Sequence, residues 1–464
     1  MSSAALDELK PGEARFPGPS TREVILSEGD DIPAALVEEC YEFLGDEEIP
    51  YYRYTSPDFF QQEVEKMWPK VWQWACRLEH IPEVGDNYVY DVGPYSILVV
   101  RHGEAPDAIK AYHNSCLHRG TQLKPSHSTG NSPKLRCPFH GWEWNLDGTV
   151  NEIPCRWDFP KVTDEDFALP EVKVGLWGGF VFINMDPACE PLEDYLGPMV
   201  EHFAGRWDVS RRYVALHVQK TLPANWKACL EAFIEAYHSL ETHYQSKETS
   251  GSLFAQYDVF TDKVNRFVHT RGYPTPEYRA QQTEEELLEK IAPHLAGTPI
   301  PEGKSARHVV ANHLRETMGD QYGVDLSIYS DSEMLDSIEY TLFPNMFLFP
   351  GVGLPMVYRF RPNGMDPDSA IFDLLFLRPL ADGMEAPEAP EPFKVGIEQS
   401  YRDAPGIDPV LGAIYDQDTG NLEMQQRGYK AAIAGGAKTG QTLGNYQEVR
   451  IRRMHMTLDE YLNA

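Results

Sequence analysis

Cys116-Leu117-His118, separated by 18 residues from Cys137-Pro138-Phe139-His140, constrains this chain more than any other feature. Each short run carries one thiol and one imidazole, as C-x-H and then C-x-x-H. Two chelating turns at close spacing make one four-ligand site, because each turn already brings two ligands together and leaves less loop entropy to lose. Two readings of a Cys2His2 set stand at this point. A structural zinc site is tetrahedral and closed. A Rieske [2Fe–2S] cluster takes two thiolates on one iron and two imidazoles on the other. A zinc finger groups Cys with Cys and His with His, whereas here each turn carries one of each, as a two-iron cluster requires. The seven cysteines are odd in number and sparse, so no disulfide framework is expected.

Around these turns the signals are short β-type runs broken by Gly, Pro, Asn and Asp: Asn87–Tyr90, Ser96–Val100 and Gly179–Ile183. They predict a small β-rich domain. Apolar residues at 59, 60, 64, 67, 68 and 71 have helical spacing and predict an amphipathic helix over 57–73. Helices are also expected over Ala34–Leu44, Ala224–Leu240 and Glu284–Ile291, and through the last 50 residues with a break at Gly435-Gly436. Tyr340–Phe349 and Ala370–Leu377 read as strands. Residues 1–50, rich in acids and Pro-Gly pairs, read as a mobile arm.

A second constellation lies in Glu235-Ala236-Tyr237-His238-Ser239-Leu240-Glu241-Thr242-His243. Glu235 and His238 share a helix face. His238 and His243 stand about 140° apart on an ideal helix, so they meet on one ion only where the helix distorts or ends. Two His and a carboxylate form the facial triad of non-haem Fe(II) oxygenases. The third ligand must come from elsewhere.

The charge excludes several partners. With 41 basic and 71 acidic residues the net charge is −30, which disfavours nucleic acid and anionic lipid. No apolar stretch approaches the roughly 20 residues that span a bilayer, and the first 30 residues hold no apolar signal core. A soluble cytoplasmic protein is expected.

Taken together, these motifs resemble the large (alpha) subunit of Rieske non-haem iron aromatic ring-hydroxylating oxygenases. The resemblance runs from about Tyr51 to the C-terminus. It is carried by Asn114-Ser115-Cys116-Leu117-His118-Arg119-Gly120, by Cys137-Pro138-Phe139-His140-Gly141-Trp142, and by Asn225-Trp226-Lys227 leading into Glu235-Ala236-Tyr237-His238. It implies an α+β fold, a small β-rich Rieske domain inserted into a larger helix-grip catalytic domain. The expected division is an acidic arm over 1–50, a helical segment over 51–75, the Rieske domain over 76–185 and the catalytic domain over 186–464. Cys116, His118, Cys137 and His140 would hold one [2Fe–2S] cluster. His238, His243 and a C-terminal Asp would hold one mononuclear Fe(II). In Tyr415-Asp416-Gln417-Asp418-Thr419, Asp418 fits best, with Asp416 as the alternative. Glu235, where the family often has Asp, would join a Rieske histidine to His238.

The resemblance further implies a terminal oxygenase that hydroxylates an aromatic or polycyclic substrate with O2. A demethylase or monooxygenase acting on a non-aromatic substrate, a Rieske electron-transfer protein and a zinc-stabilised binding module are the alternatives. The chain shows no G-x-G-x-x-G after a strand, so its electrons should come from a separate flavin reductase, a ferredoxin or both. A homotrimer is expected, or an α3β3 assembly with a small subunit. One face of 340–349 could line an apolar pocket. Arg359 and Arg361 are candidates to anchor a substrate carboxylate, though ordinary surface arginines fit the pattern better. Residues 114–142 hold Arg119, Lys124, Lys134 and Arg136 and no acid. This basic rim suits an acidic electron donor.

Overall fold

The computed structural model describes residues 9–29, 31–436 and 438–464. Two large sheets organise the chain, antiparallel throughout except where Phe393–Val395 pairs parallel with Arg212–Leu222. The first has seven strands, in the order Gln73–Arg77, Phe180–Asn184, Glu171–Trp177, Ile109–His113, Tyr95–Arg101, Asp86–Val92, Thr129–Asn131. A three-stranded sheet, Leu135–Arg136, Glu143–Trp144 and Val150–Glu152, stands beside it. Phe180–Asn184 is buried at every residue, which explains its unbroken apolar run. Such a run marks a strand covered on both faces.

The second sheet has eight strands, in the order Gln256–Val259, Val264–His269, Ser337–Leu342, Met346–Leu348, Met356–Asn363, Asp366–Pro379, Arg212–Leu222, Phe393–Val395. Alternate side chains feed two different cores. Phe347, Tyr358, Phe360 and Phe372 pack with Trp226, Leu230, Tyr415 and Leu458, from the helices Trp226–Glu231, Pro409–Gly420 and Val449–Asn463. Tyr340, Leu348, Val357 and Leu375 pack on the other face with Trp72, Trp74, Phe180 and Tyr195. One face of the catalytic sheet therefore packs on these three helices, and the other meets Trp72, Trp74 and Phe180 together with Tyr195 of the helix Leu192–Leu196.

Arg359 and Arg361 are neither surface residues nor free to bind a ligand. Both are buried and paired with the fully buried Asp373. Arg359 also donates to the carbonyls of Trp74 and Ala75, and Arg361 to that of Asp91. They tie the two sheets together.

Several expected elements are shorter than their periodicity suggests. The helix expected over 57–73 is α-helical at Pro57–Gln62 and a π-turn at Glu63–Met67, then gives way to the strand Gln73–Arg77. The π-turn aims Glu63, wholly buried, at Trp226 Nε1 (3.0 Å) and at Lys227 Nζ. Ala34–Val37 is the only helical part of 34–44. The span 340–349 is two strands separated at Phe343-Pro344-Asn345, where Pro344 has no N–H for the ladder. The described part of the arm is pinned down. Thr21 Oγ1 donates to the Phe254 carbonyl at 2.7 Å and Cys40 N to Asp258 Oδ1 at 2.8 Å. Val24, Ile25 and Leu36 are buried. Glu284–Ile291 is helical as expected.

Candidate metal centres

The two Cys-His turns share one backbone design. Cys116 N donates to Thr121 O (2.8 Å) and Gly120 N to Cys116 O (2.9 Å); Cys137 N donates to Trp142 O (2.8 Å) and Gly141 N to Cys137 O (3.1 Å). Gly120 and Gly141, each four residues after its Cys, have φ of +78° and +77°, a region that favours glycine. Asn114 fixes the first turn by accepting from Leu123 N and Lys124 N through Oδ1. Both thiols are buried, at 3% and 2% exposure. His118 is half-buried and His140 exposed, with their rings 4.7 Å apart. Trp142 stacks on His118 at 4.9 Å. Burial raises the Cys116 thiol pKa, while the backbone N–H groups of His118 and Arg119 pull it down. Two inward thiols and two outward imidazoles fit a two-iron cluster with its His edge at the surface.

The second constellation forms because the helix ends inside it. Trp226–Glu231 is α-helical, the chain is irregular to Ala236, and Tyr237–Leu240 is a 3-10 turn. The break swings His243 back toward His238, so the rings lie 5.2 Å apart. Asp418 joins them from the helix Pro409–Gly420, which Asp408 caps by accepting from Val410 N and Leu411 N. The ligand atoms of His238, His243 and Asp418 all lie within 4.8 Å of one another.

Hydrogen bonding leaves the facing atoms of this triad free. His238 Nδ1 meets Glu235 Oε1 at 2.8 Å, and His243 Nδ1 meets Gln417 Oε1 at 2.9 Å. Both Nε2 atoms therefore turn to Asp418 Oδ1, at 3.4 Å and 2.7 Å. That oxygen is buried and receives no well-directed hydrogen bond. An orphaned carboxylate oxygen beside two imidazole nitrogens, each ring oriented through its other nitrogen, fits a divalent metal. Burial would lower the His238 pKa, but Asp418 and Glu235 outweigh it and raise it to about 10. Burial likewise opposes ionisation of Asp418, yet the two histidines hold its pKa below the ordinary carboxylate range. The cluster thus favours a positive charge at its centre, where a metal competes with protons.

Asp416, the alternative to Asp418, points elsewhere. Its carboxylate accepts from Ser400 Oγ and from Tyr401 N at 2.9 Å. Three supporting residues were missed from sequence. Gln417 orients His243. Tyr257 OH accepts from Ala236 N at 2.9 Å, and Arg450 Nη1 donates to Ile234 O at 3.1 Å, which together hold the turn around Glu235. Only Gln417 carried a signal, its place beside Asp418.

Comparisons with known proteins agree with both centres. Residues 71–163 match the Rieske [2Fe-2S] domain, and residues 204–464 match the ring hydroxylating alpha subunit (catalytic domain). The large oxygenase component of salicylate 5-hydroxylase from Ralstonia sp is 30% identical across 42% of this chain and 48% of its own length. The glycine betaine monooxygenase oxygenase subunit of Pseudomonas aeruginosa is 28% identical across 46% and 48%. The match thus spans about half the length of these relatives. Biphenyl 2,3-dioxygenase subunit alpha from Rhodococcus jostii is 27% identical across 82% of this chain and 78% of its own. Among solved structures, a quaternary ammonium Rieske monooxygenase bound to L-carnitine shares the fold with a TM-score of 0.61 at 18% identity, covering 89% of this chain and 95% of that one. Naphthalene 1,2-dioxygenase with indole bound does so at 0.62 and 19%, covering 91% and 93%. No helix among the described residues is long and apolar enough to cross a membrane. The chain belongs to the ring-hydroxylating alpha subunit family, with a Rieske [2Fe–2S] centre and a mononuclear-iron catalytic domain.

Proposed function

We propose that this chain is the terminal oxygenase of a multicomponent system, hydroxylating a small organic substrate with O2 and electrons from a separate donor protein. The observation that carries this reading is the convergence of His238 Nε2, His243 Nε2 and Asp418 Oδ1, with both Nδ1 atoms occupied. Three protein ligands leave coordination positions for O2 and for substrate chemistry. When bound, the cluster supplies one-electron storage and the iron supplies O2 activation.

Cys116, Cys137, His118 and His140 hold the cluster. His238, His243 and Asp418 hold the iron, and Gln417 and Glu235 fix the two rings. Glu235 is buried and next to His238, so it is the group suited to carry the electronic connection from a Rieske histidine of a neighbouring copy in a homotrimer. The donor is an acidic ferredoxin or flavin reductase that docks on the basic rim of residues 114–142. An aromatic substrate is supported by the likeness to salicylate 5-hydroxylase and biphenyl 2,3-dioxygenase.

The test is product analysis after incubation of the metal-loaded protein with a reductase system, ¹⁸O-labelled O2 and a panel of aromatic and N-methylated substrates. Label in an organic product is expected. If the reduced protein passes electrons onward but labels no compound, the chain is a Rieske electron carrier instead.

A further inference from the structure

Gln256–Val259 is an edge strand of the eight-stranded sheet, so its outward N–H groups have no neighbouring strand to bond. Other parts of the chain take them. Tyr257 N donates to the Tyr446 hydroxyl at 3.3 Å, and Val259 N donates to the carbonyl of Cys40 in the N-terminal arm. The arm also engages both faces of this strand. Side chains alternate along a strand, so Gln256 and Asp258 face one way and Tyr257 and Val259 the other. On the first face Gln256 Nε2 donates to the Glu38 carbonyl at 2.7 Å, and Asp258 Oδ1 accepts from Cys40 N at 2.8 Å. On the second, Tyr41 and Leu44 pack in one cluster with Tyr257, Val259 and Ala236.

The contacts on the second face run in series to an iron ligand. The Arg15 guanidinium lies 4.3 Å from the centre of the Tyr41 ring and 3.8 Å from that of Tyr446, and these two rings are 5.2 Å apart. The Tyr41 hydroxyl donates to the Asn445 carbonyl at 3.0 Å, which fixes the residue before Tyr446. Tyr446 meets the Tyr257 ring edge-on at 5.3 Å. The Tyr257 hydroxyl accepts from the buried Ala236 N at 2.9 Å. Ala236 follows Glu235, which grips both the backbone N–H and Nδ1 of His238. A second line from the arm reaches the same turn. Thr21 Oγ1 donates to the Phe254 carbonyl, the Phe16 ring lies 6.0 Å from that of Phe254, and Ser252–Phe254 packs against Tyr237–Leu240.

Resting on the reading of His238 as an iron ligand, we propose that the N-terminal arm sets the geometry of the catalytic iron site: Arg15 and Tyr41 are positioning residues that act through Tyr446 and Tyr257 on the Glu235–His238 turn. The chain is irregular between the helix Trp226–Glu231 and the turn Tyr237–Leu240, so its place is set by the groups it is tied to. Tyr257 is one of those ties. Its strand keeps the ladder to Val264–His269 without the arm, but the side that carries the Tyr257 ring loses the packing that aims its hydroxyl at Ala236 N. A buried N–H left without its acceptor is costly, and the turn shifts to relieve it. Glu235 then no longer holds the His238 ring in one orientation.

The test uses the metal-loaded full chain and two readouts of the catalytic iron: the rate at which a chelator removes Fe(II), and the EPR spectrum with nitric oxide as the probe. Tyr257→Phe removes the acceptor for Ala236 N. It is expected to speed iron release about tenfold or more, as loss of a group that orients a metal ligand does, and to broaden the EPR signal. Arg15→Ala combined with Tyr41→Ala is expected to do the same from the arm, with Rieske absorbance retained. Tyr41→Phe, which keeps the ring on Tyr446, is expected to behave as wild type. Adding the arm pair to Tyr257→Phe is expected to change iron release by less than about twofold, because both act through one contact. Tyr41→Leu, which keeps apolar bulk without the aromatic face, is the milder arm variant and is held to the same outcomes. The proposal is overturned if the arm variants lower the melting temperature but leave iron release and the EPR signal unchanged, or if their effects multiply with that of Tyr257→Phe. Neither readout needs O2 or a product, so a chain that hydroxylates nothing while showing these effects would count against the oxygenase reading alone.

Discussion

Glu235 holds His238 at two points, accepting from its backbone N–H at 2.9 Å and from ring Nδ1 at 2.8 Å. One carboxylate three residues upstream thus fixes both the main chain and the imidazole of a candidate iron ligand. Glu235→Gln should keep iron and cluster, because an amide oxygen can still accept from Nδ1, but the anionic hydrogen bond is lost. Single-turnover oxidation of a pre-reduced Rieske centre should slow at least about tenfold. An unchanged rate in stopped-flow absorbance would route the electrons elsewhere.

Asp418 and Asp416 are separated by one residue and by function. Asp418→Ala, His238→Ala and His243→Ala should each lose bound iron and turnover while sparing the visible spectrum of the cluster, since each removes one of three protein ligands. Asp416→Ala frees Ser400 and Tyr401 and should keep its iron. Metal analysis of the four proteins decides the matter; iron retained in Asp418→Ala would remove it from the ligand set.

Cys137→Ser should abolish the Rieske absorbance and EPR signal and leave the iron content of the catalytic domain largely intact. The Cys137 turn belongs to the small three-stranded region, away from the helices that hold the triad. A mutant with the full Rieske signal would refute the ligand assignment.

The metal motifs were legible from sequence because they are local: each Cys-His turn, and Glu235 with His238, spans a few residues. Asp418 was reachable only through the family resemblance, because nothing in the chain between 243 and 418 marks it. Arg359, Arg361 and Asp373 were misjudged for a related reason. A charged residue alternating with apolar ones reads as a solvated face, unless the β-rich domain is known to cover it. Helix lengths were overestimated where periodicity continues past a functional break. At 232–236 the chain leaves the helix to bring His243 round, and at Glu63–Met67 the π-turn brings Glu63 onto Lys227.

Lys227 and Glu63 are both fully buried, and Trp226 Nε1 shares the same carboxylate. Their charges compensate each other without water. Lys227→Met should therefore leave an unpaired buried carboxylate and destabilise the protein by about 3–5 kcal/mol. Adding Glu63→Gln should recover part of that loss. Thermal unfolding of the single and double variants measures it; a double variant no more stable than Lys227→Met would contradict the compensation.

The placement of the basic rim gives it a use beyond the average charge. Arg119 is exposed and packs over the Phe139 ring at 5.3 Å. Lys124 reaches Ser132, and Lys134 reaches Asn145 and Asn151, all uncharged partners. Only Arg136 is neutralised, by Glu143 at 3.2 Å. Three cations therefore have no acidic partner among the described residues, on a chain whose net charge is −30. Phe139, next to His140, is 56% exposed and supplies an apolar contact inside the rim. A donor with an acidic face would be steered here and repelled by the rest of the surface. Reduction of the Rieske centre by its donor should slow at least about tenfold between low salt and 0.5 M, where the screening length is about 4 Å. Arg119→Glu with Lys124→Glu should slow it at low salt as well, and should leave substrate affinity unchanged. Stopped-flow reduction checks both. Rates insensitive to salt and to charge reversal would place the donor on another face and leave the rim a purely structural feature.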